Sequence, residues 1–244
     1  MKLDDTHLSD QGLAAPARGG GSVLVIACGA LAREILALRA LNGWRHLDLQ
    51  CLPANLHLWP DRIPDAVEAA VVAARGRYAA VYVAYADCGT GGLLAARCAA
   101  LGVEMIAGPH CYSFFDGNAA FAERAEGEIT TFYRTDFLVR QFDAFVWRPM
   151  GLDRHPELRD MLFGNYEQLV YLAQTDDPAL DAEAARCAAR LRLAYGRRLT
   201  GYGDLATALA GLQAVRGAAP PSARRPRGPG GTAEPTRYDD ERRE

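Results

Sequence analysis

Cys28, His57, Cys88 and Cys111 share a setting: each follows an apolar run, at the head of a stretch that reads as a turn into a helix. The segments are Cys28-Gly29-Ala30, Cys51-Leu52-Pro53-Ala54-Asn55-Leu56-His57, Asp87-Cys88-Gly89-Thr90-Gly91-Gly92 and Gly108-Pro109-His110-Cys111-Tyr112. Thiolate and neutral imidazole together suit zinc, and also iron–sulfur or other soft sites. Taken singly, a cysteine is a small buried hydrophobe. That plain reading fits Cys98 and Cys187, which lie in Ala-rich helical stretches, and Cys51 at a strand end. Thiols at successive strand ends are harder to obtain from packing alone, so Cys28, Cys88 and Cys111, with His57, are the expected metal ligands. No CxxC pair occurs, so spacing by itself is only a moderate signal.

The flanking residues add candidates. Gly29, Gly89 and Gly108 let the backbone turn tightly and approach a ligand. The run from Cys88 through Gly91 to Gly92 opens a helix, whose free N–H groups lower a thiol pKa or hold an anion. Gly29, Gly89, Gly91 and Tyr112 are therefore the expected cofactor contacts. Neither GxGxxG nor the Walker lysine pattern is present, which disfavours a nucleotide. Glu34, on the first expected helix, and His110, beside Cys111, are the candidates for a catalytic role, with a solvated helix face as the plainer account of Glu34. Asp87 either supports a ligand or caps its loop. Tyr112, Phe114 and Phe115 read as pocket walls or as core. His7, His46 and His155 are assigned no role in the site, and no GxSxG elbow supports a serine triad.

The elements that must position these groups alternate. Apolar strands are expected over 22–27, 46–51, 79–85, 103–107 and 168–173, with a short one at 197–200. Helical spacing covers 31–41, 64–75, 91–101, 118–126, 156–163, 179–193 and 204–212, while 129–133 reads as extended and 136–146 as helical. Near-continuous apolar strands separated by helices predict an α/β fold: three layers, doubly wound, a mostly parallel sheet with helices on both faces. Ligands in such folds sit beyond the carboxyl ends of the strands, where all four chemically rich loops would lie.

Of the 244 residues half are hydrophobic, enough for a large buried core, and the net charge is −3 with no basic stripe for nucleic acid. No apolar run approaches the roughly 20 residues of a membrane span. Widely spaced cysteines and a polar N-terminus without a secretory pattern lead us to expect reduced thiols in the cytoplasm. Residues 1–21 read as a flexible leader, 22–214 as the α/β domain, and the Pro-, Gly- and Arg-rich 215–244 as a disordered tail.

The motifs Ala27-Cys28-Gly29-Ala30-Leu31 with Glu34, Leu52-Pro53-Ala54 with Leu56-His57, Tyr85-Ala86-Asp87-Cys88-Gly89 and His110-Cys111-Tyr112-Ser113-Phe114-Phe115 resemble the DUF1638 family of uncharacterised bacterial and archaeal proteins, over about residues 22–212. The later pieces of the likeness are Tyr166 and Leu169-Val170-Tyr171-Leu172. The family pattern carries Cys, His, Cys and Cys at the positions of Cys28, His57, Cys88 and Cys111. Many relatives have Asp where this chain has His110, and Asn where it has Leu58. The resemblance implies corrinoid-linked methyl transfer and one-carbon metabolism. The leading expectation is thus a zinc site acting on a small-molecule substrate or with corrinoid methyltransferase components. The alternatives are an iron–sulfur enzyme using the three cysteines, and a non-enzymatic protein that binds a corrinoid or a metal.

Overall fold

Strand β1 (Val23–Cys28) is buried at every position, as a central strand covered on both faces must be. A computed structural model of the chain describes residues 3–16 and 22–212. Around β1 the chain builds β2 (Leu47–Leu52), β3 (Ala80–Ala84) and β4 (Glu104–Met105) into a parallel sheet of order β2-β1-β3-β4. The register pairs Ala27 with both Cys51 and Ala84, so the carboxyl ends of three strands finish level. Helices α2 (Ala32–Leu41), α3 (Ile63–Ala74) and α4 (Leu93–Leu101) make the crossovers.

A second parallel sheet, of order β5-β6-β7, holds β5 (Thr131–Thr135), β6 (Gln168–Ala173) and β7 (Ala194–Leu199), with α7 (Asp136–Arg140), α8 (Leu158–Phe163) and α9 (Pro178–Arg190) around it. The α/β class and its parallel pairing are as expected, but the strands form two sheets and not one. The reason lies after β4. That strand is two residues long, Gly108 (φ +145°) and Pro109 take the chain off the edge, and α5 (Cys111–Asp116) and α6 (Asn118–Arg124) intervene before β5 begins. The final helix, α10 (Gly203–Gly211), returns to pack on α5 and α2. Phe137 of α7 joins the core of the first sheet together with Leu205 and Leu209 of α10, which binds the two units into one body.

Residues 3–16 differ from the flexible leader expected of them. Helix α1 (Asp5–Asp10) is capped by Asp4, buries Leu8, and is followed by Leu13, which exchanges backbone hydrogen bonds with Cys51 at 2.8 and 2.7 Å. Leu8 and the β2 edge supply apolar burial and strand pairing that a composition count does not register. The expected tail, 215–244, lies outside the described residues. Among those described, no helix is long and apolar enough to cross a membrane.

Candidate metal centre

Local hydrogen bonds hold the loops that carry the candidate donors. Cys28 ends β1 and caps the short 3-10 turn Gly29–Leu31, with the Ala30 amide donating to its sulfur at 3.5 Å. Pro53 leads from β2 into a second 3-10 turn, Ala54–Leu58, which carries His57. The loops after β3 and β4 are joined directly: the Asp87 amide donates to the Gly108 carbonyl and the Cys88 amide to the Pro109 carbonyl, both at 3.0 Å. Those bonds bring Cys88 beside Cys111, the first residue of α5. Cys88 is left-handed (φ +50°), a conformation that costs a β-carbon residue of order 1–3 kcal/mol and persists only where neighbours enforce it. The Asp87 carboxylate does so, accepting from Thr90 Oγ1 (2.8 Å), Gly92 N (2.7 Å) and Gly91 N (3.1 Å). These donors hold the Asp87 carboxyl below its ordinary pKa, so the residue caps the loop.

His57, Cys88 and Cys111 form a candidate metal-binding cluster, their donor atoms all within 4.8 Å of one another. The sulfurs of Cys88 and Cys111 are 3.1 Å apart and both cysteines are free. Two thiolates on one tetrahedral zinc stand about 3.8 Å apart, given a Zn–S bond of about 2.3 Å, so a small adjustment fits the pair to a shared ion. Cys28 stands outside that trio. Its sulfur faces His57 Nδ1 at 3.6 Å, from a fully buried position. The hydrogen bond from Cys88 holds the Cys111 thiol below its ordinary pKa, aided by His57 and the Ala86 backbone, while the same hydrogen bond and burial raise Cys88. At His57 burial favours the neutral ring, but the sulfurs of Cys28 and Cys111 outweigh it and raise the pKa. Two sulfurs, that of Cys111 held toward the thiolate, and one imidazole make a donor set of the kind that binds a soft divalent ion, whose binding would displace the remaining protons.

The cluster forms the floor of a cavity of about 300 Å³ between the carboxyl ends of the two sheets. His57, Cys88, Gly89, His110, Cys111 and Tyr112 line it from the first sheet; Arg134, Thr135, Leu138 and Phe145 line it from the second unit. The His110 and Tyr112 rings stack at 4.8 Å, and burial pushes the His110 pKa down. Of the sequence-derived candidates, Cys28, Gly29, Gly91 and Glu34 do not line this cavity. A Cβ on Gly29 would lie 2.3 Å from the Leu8 carbonyl oxygen, so this glycine admits α1 and not a ligand. The Gly91 amide serves Asp87. Glu34 is buried on α2, contrary to a solvated face, and senses Arg140 and Asp136 at the seam between the units. Phe114 and Phe115 both belong to the core, and Phe115 also lines the cavity. Cys51, Cys98 and Cys187 are buried in β2, α4 and α9.

Two residues escaped the sequence reading. Tyr85, just past β3, is fully buried, its hydroxyl has no hydrogen-bond partner among the described residues, and burial, with the nearby sulfurs of Cys28, Cys111, Cys51 and Cys88, pushes its pKa up. Arg134 is a buried cation near the end of β5. It follows directly on the 129–133 stretch read as extended, and a lone charge beside Phe132 and Tyr133 was the available signal.

A family described as "Protein of unknown function (DUF1638)" matches residues 51–209, a span that holds His57, Cys88, Cys111 and Arg134 and begins after Cys28. No curated protein and no solved structure matches the chain.

Proposed function

The chain belongs to the DUF1638 family, and we propose that it is a zinc enzyme in which His57, Cys88 and Cys111 hold the ion and a small-molecule thiol or water takes the fourth position from the cavity. The observation that carries this reading is that all three donors line the cavity while Cys28, the fourth expected ligand, does not. Bound zinc with three protein ligands lowers the pKa of a group in its open position and makes it a nucleophile.

The chain's own side chains have separable tasks. Cys88 and Cys111 supply charge and soft donors. With Nδ1 of His57 turned toward Cys28, Nε2 is left for the ion, and Cys28 orients the ring as partners behind metal-bound histidines do. Leu31, Phe115, Leu138 and Phe145 make the walls mainly apolar, which favours a thiol over water in the open position. A thiol nucleophile suits the methyl-acceptor role expected from the resemblance. A cavity of about 300 Å³ takes a small molecule, so a corrinoid would have to be presented by a partner protein. An iron–sulfur cluster is less well supported, because sulfurs 3.1 Å apart suit one shared atom better than separate irons.

The test is metal analysis of tag-free protein reconstituted with zinc. Wild type should bind about one ion per chain, and Cys88→Ser, Cys111→Ser and His57→Ala should each fail to retain it. Cys28→Ser should retain the ion with affinity weakened about 10- to 100-fold, as expected for a residue that orients a ligand. Loss of zinc from Cys28→Ser as complete as from Cys88→Ser would instead mean a closed four-ligand site, and an absence of metal from wild type would end the reading.

A further inference from the structure

Arg134 is the only arginine among the described residues that belongs to the buried set, at 8% exposure. Other arginines of the second unit are answered by carboxylates: Arg140 by Asp5, Arg190 by Asp143, Arg197 by Asp176, and Arg198 by Asp116 and Glu128. Arg134 has no such partner among the described residues, and its Nε is buried without a hydrogen bond. Its guanidinium lies 3.6 Å over the Phe132 ring, which supports one face of the group and leaves its donors unmet. An unpaired charge held out of water weakens folding, and such groups cluster where a partner arrives from outside. Arg134 is also among the residues that line the cavity holding the trio.

We infer that Arg134 is the recognition group for a single carboxylate, so that the cavity takes a small organic acid whose other end reaches the cluster of His57, Cys88 and Cys111. The first half of this stands on Arg134 and the cavity alone; the second rests on the metal reading above. A carboxylate matches the planar fork of a guanidinium with two parallel hydrogen bonds. A doubly charged phosphate fits less well, because among the described residues neither a lysine nor a second arginine lines the cavity to balance the remaining charge. Burial brings the Arg134 pKa to about 9, which leaves it a cation at neutral pH.

Calorimetric titration of the zinc-loaded full chain tests this with two matched pairs of probes: 3-mercaptopropionate against 3-mercapto-1-propanol, and propionate against 1-propanol. Wild type should prefer the acid of each pair by between about tenfold and hundredfold, the range for hydrogen bonds to a charged group. Arg134→Gln should bind acid and alcohol within about threefold of each other, and Arg134→Lys should keep part of the preference, since it restores the charge without the fork. Thermal melting and zinc content of both variants, matched to wild type, exclude a folding defect. Equal affinity for acid and alcohol in wild type, no measurable binding of any probe, or an unchanged preference in a folded Arg134→Gln each overturns the assignment. The two readings fail separately. Protein without bound zinc that still prefers propionate over 1-propanol keeps the acid site and loses the metal centre, and zinc-loaded protein without that preference does the reverse.

Discussion

Glu34 shows what burial does to a single ionisable group. Its side chain is almost wholly out of water, Oε2 has no hydrogen-bond partner among the described residues, and burial raises its pKa from 4.5 to about 7, against the opposing pull of its own backbone amide and of Arg140. The folded carboxyl therefore holds a proton that the unfolded one releases above pH 4.5. Stability contributed by the protonated group is complete below that pH, is lost as pH rises toward about 7, and does not change further above it. A difference of about 2.5 pH units between the two states corresponds to about 3 kcal/mol, as an order of magnitude. Glu34→Gln should remove this slope, so the stability difference between variant and wild type should move in the variant's favour between pH 4.5 and 7 and stay constant above. Urea unfolding across that window measures it, and parallel profiles for the two proteins would mean that Glu34 ionises freely in the folded state.

At the scale of elements, the loop between β3 and α4 matters most, because it holds a left-handed cysteine against its preference. Asp87 caps the loop with three accepted hydrogen bonds, and the Cys88 amide is fastened to the neighbouring loop at Pro109. Asp87→Ala would leave the Gly91 and Gly92 amides to water and free Cys88 to relax. The cost to folding should be about 1 kcal/mol, the usual value for a lost cap. Zinc affinity should fall further than that figure implies, by about 10- to 100-fold, because the residue acts by placing a ligand. Competition with a chromophoric chelator would read the change, and an affinity equal to wild type would show that Cys88 keeps its position without the cap.

Across the whole molecule the cavity exists because two sheets present their carboxyl ends to a common space, so the docking of the two units is part of the site. Asp5 helps to fasten that docking. Its two oxygens accept from Arg33 Nε on α2 and Arg140 Nε on α7, each at 2.7 Å, joining α1 to both units. Asp5 is nearly buried and the arginines are about a third exposed, so the loss in Asp5→Ala should fall between a surface pair and a buried one, about 1–3 kcal/mol. The same variant should bind small acids more weakly, since a looser seam moves Arg134 relative to the trio. Denaturant midpoints with a double-mutant cycle through Arg140→Ala would apportion the effect. A change below about 0.5 kcal/mol would class the bridge with ordinary surface charges.

Much of this was already legible along the chain. Apolar runs and helical spacing report which faces are buried, so most strands and helices, the parallel α/β class and the clustering of chemistry at strand ends could be read from local pattern. Glycine and proline marked the turns in which Cys88, Gly108 and Pro109 sit. Tertiary structure alone decided the rest: the division into two sheets, the docking of α1, the position of Cys28 behind His57 and not beside Cys111, and the isolation of Arg134. Periodicity shows that a residue is covered but not by what. Whether a charge is answered, or three donors meet within a few ångströms, depends on residues far apart in sequence that only the folded chain brings together.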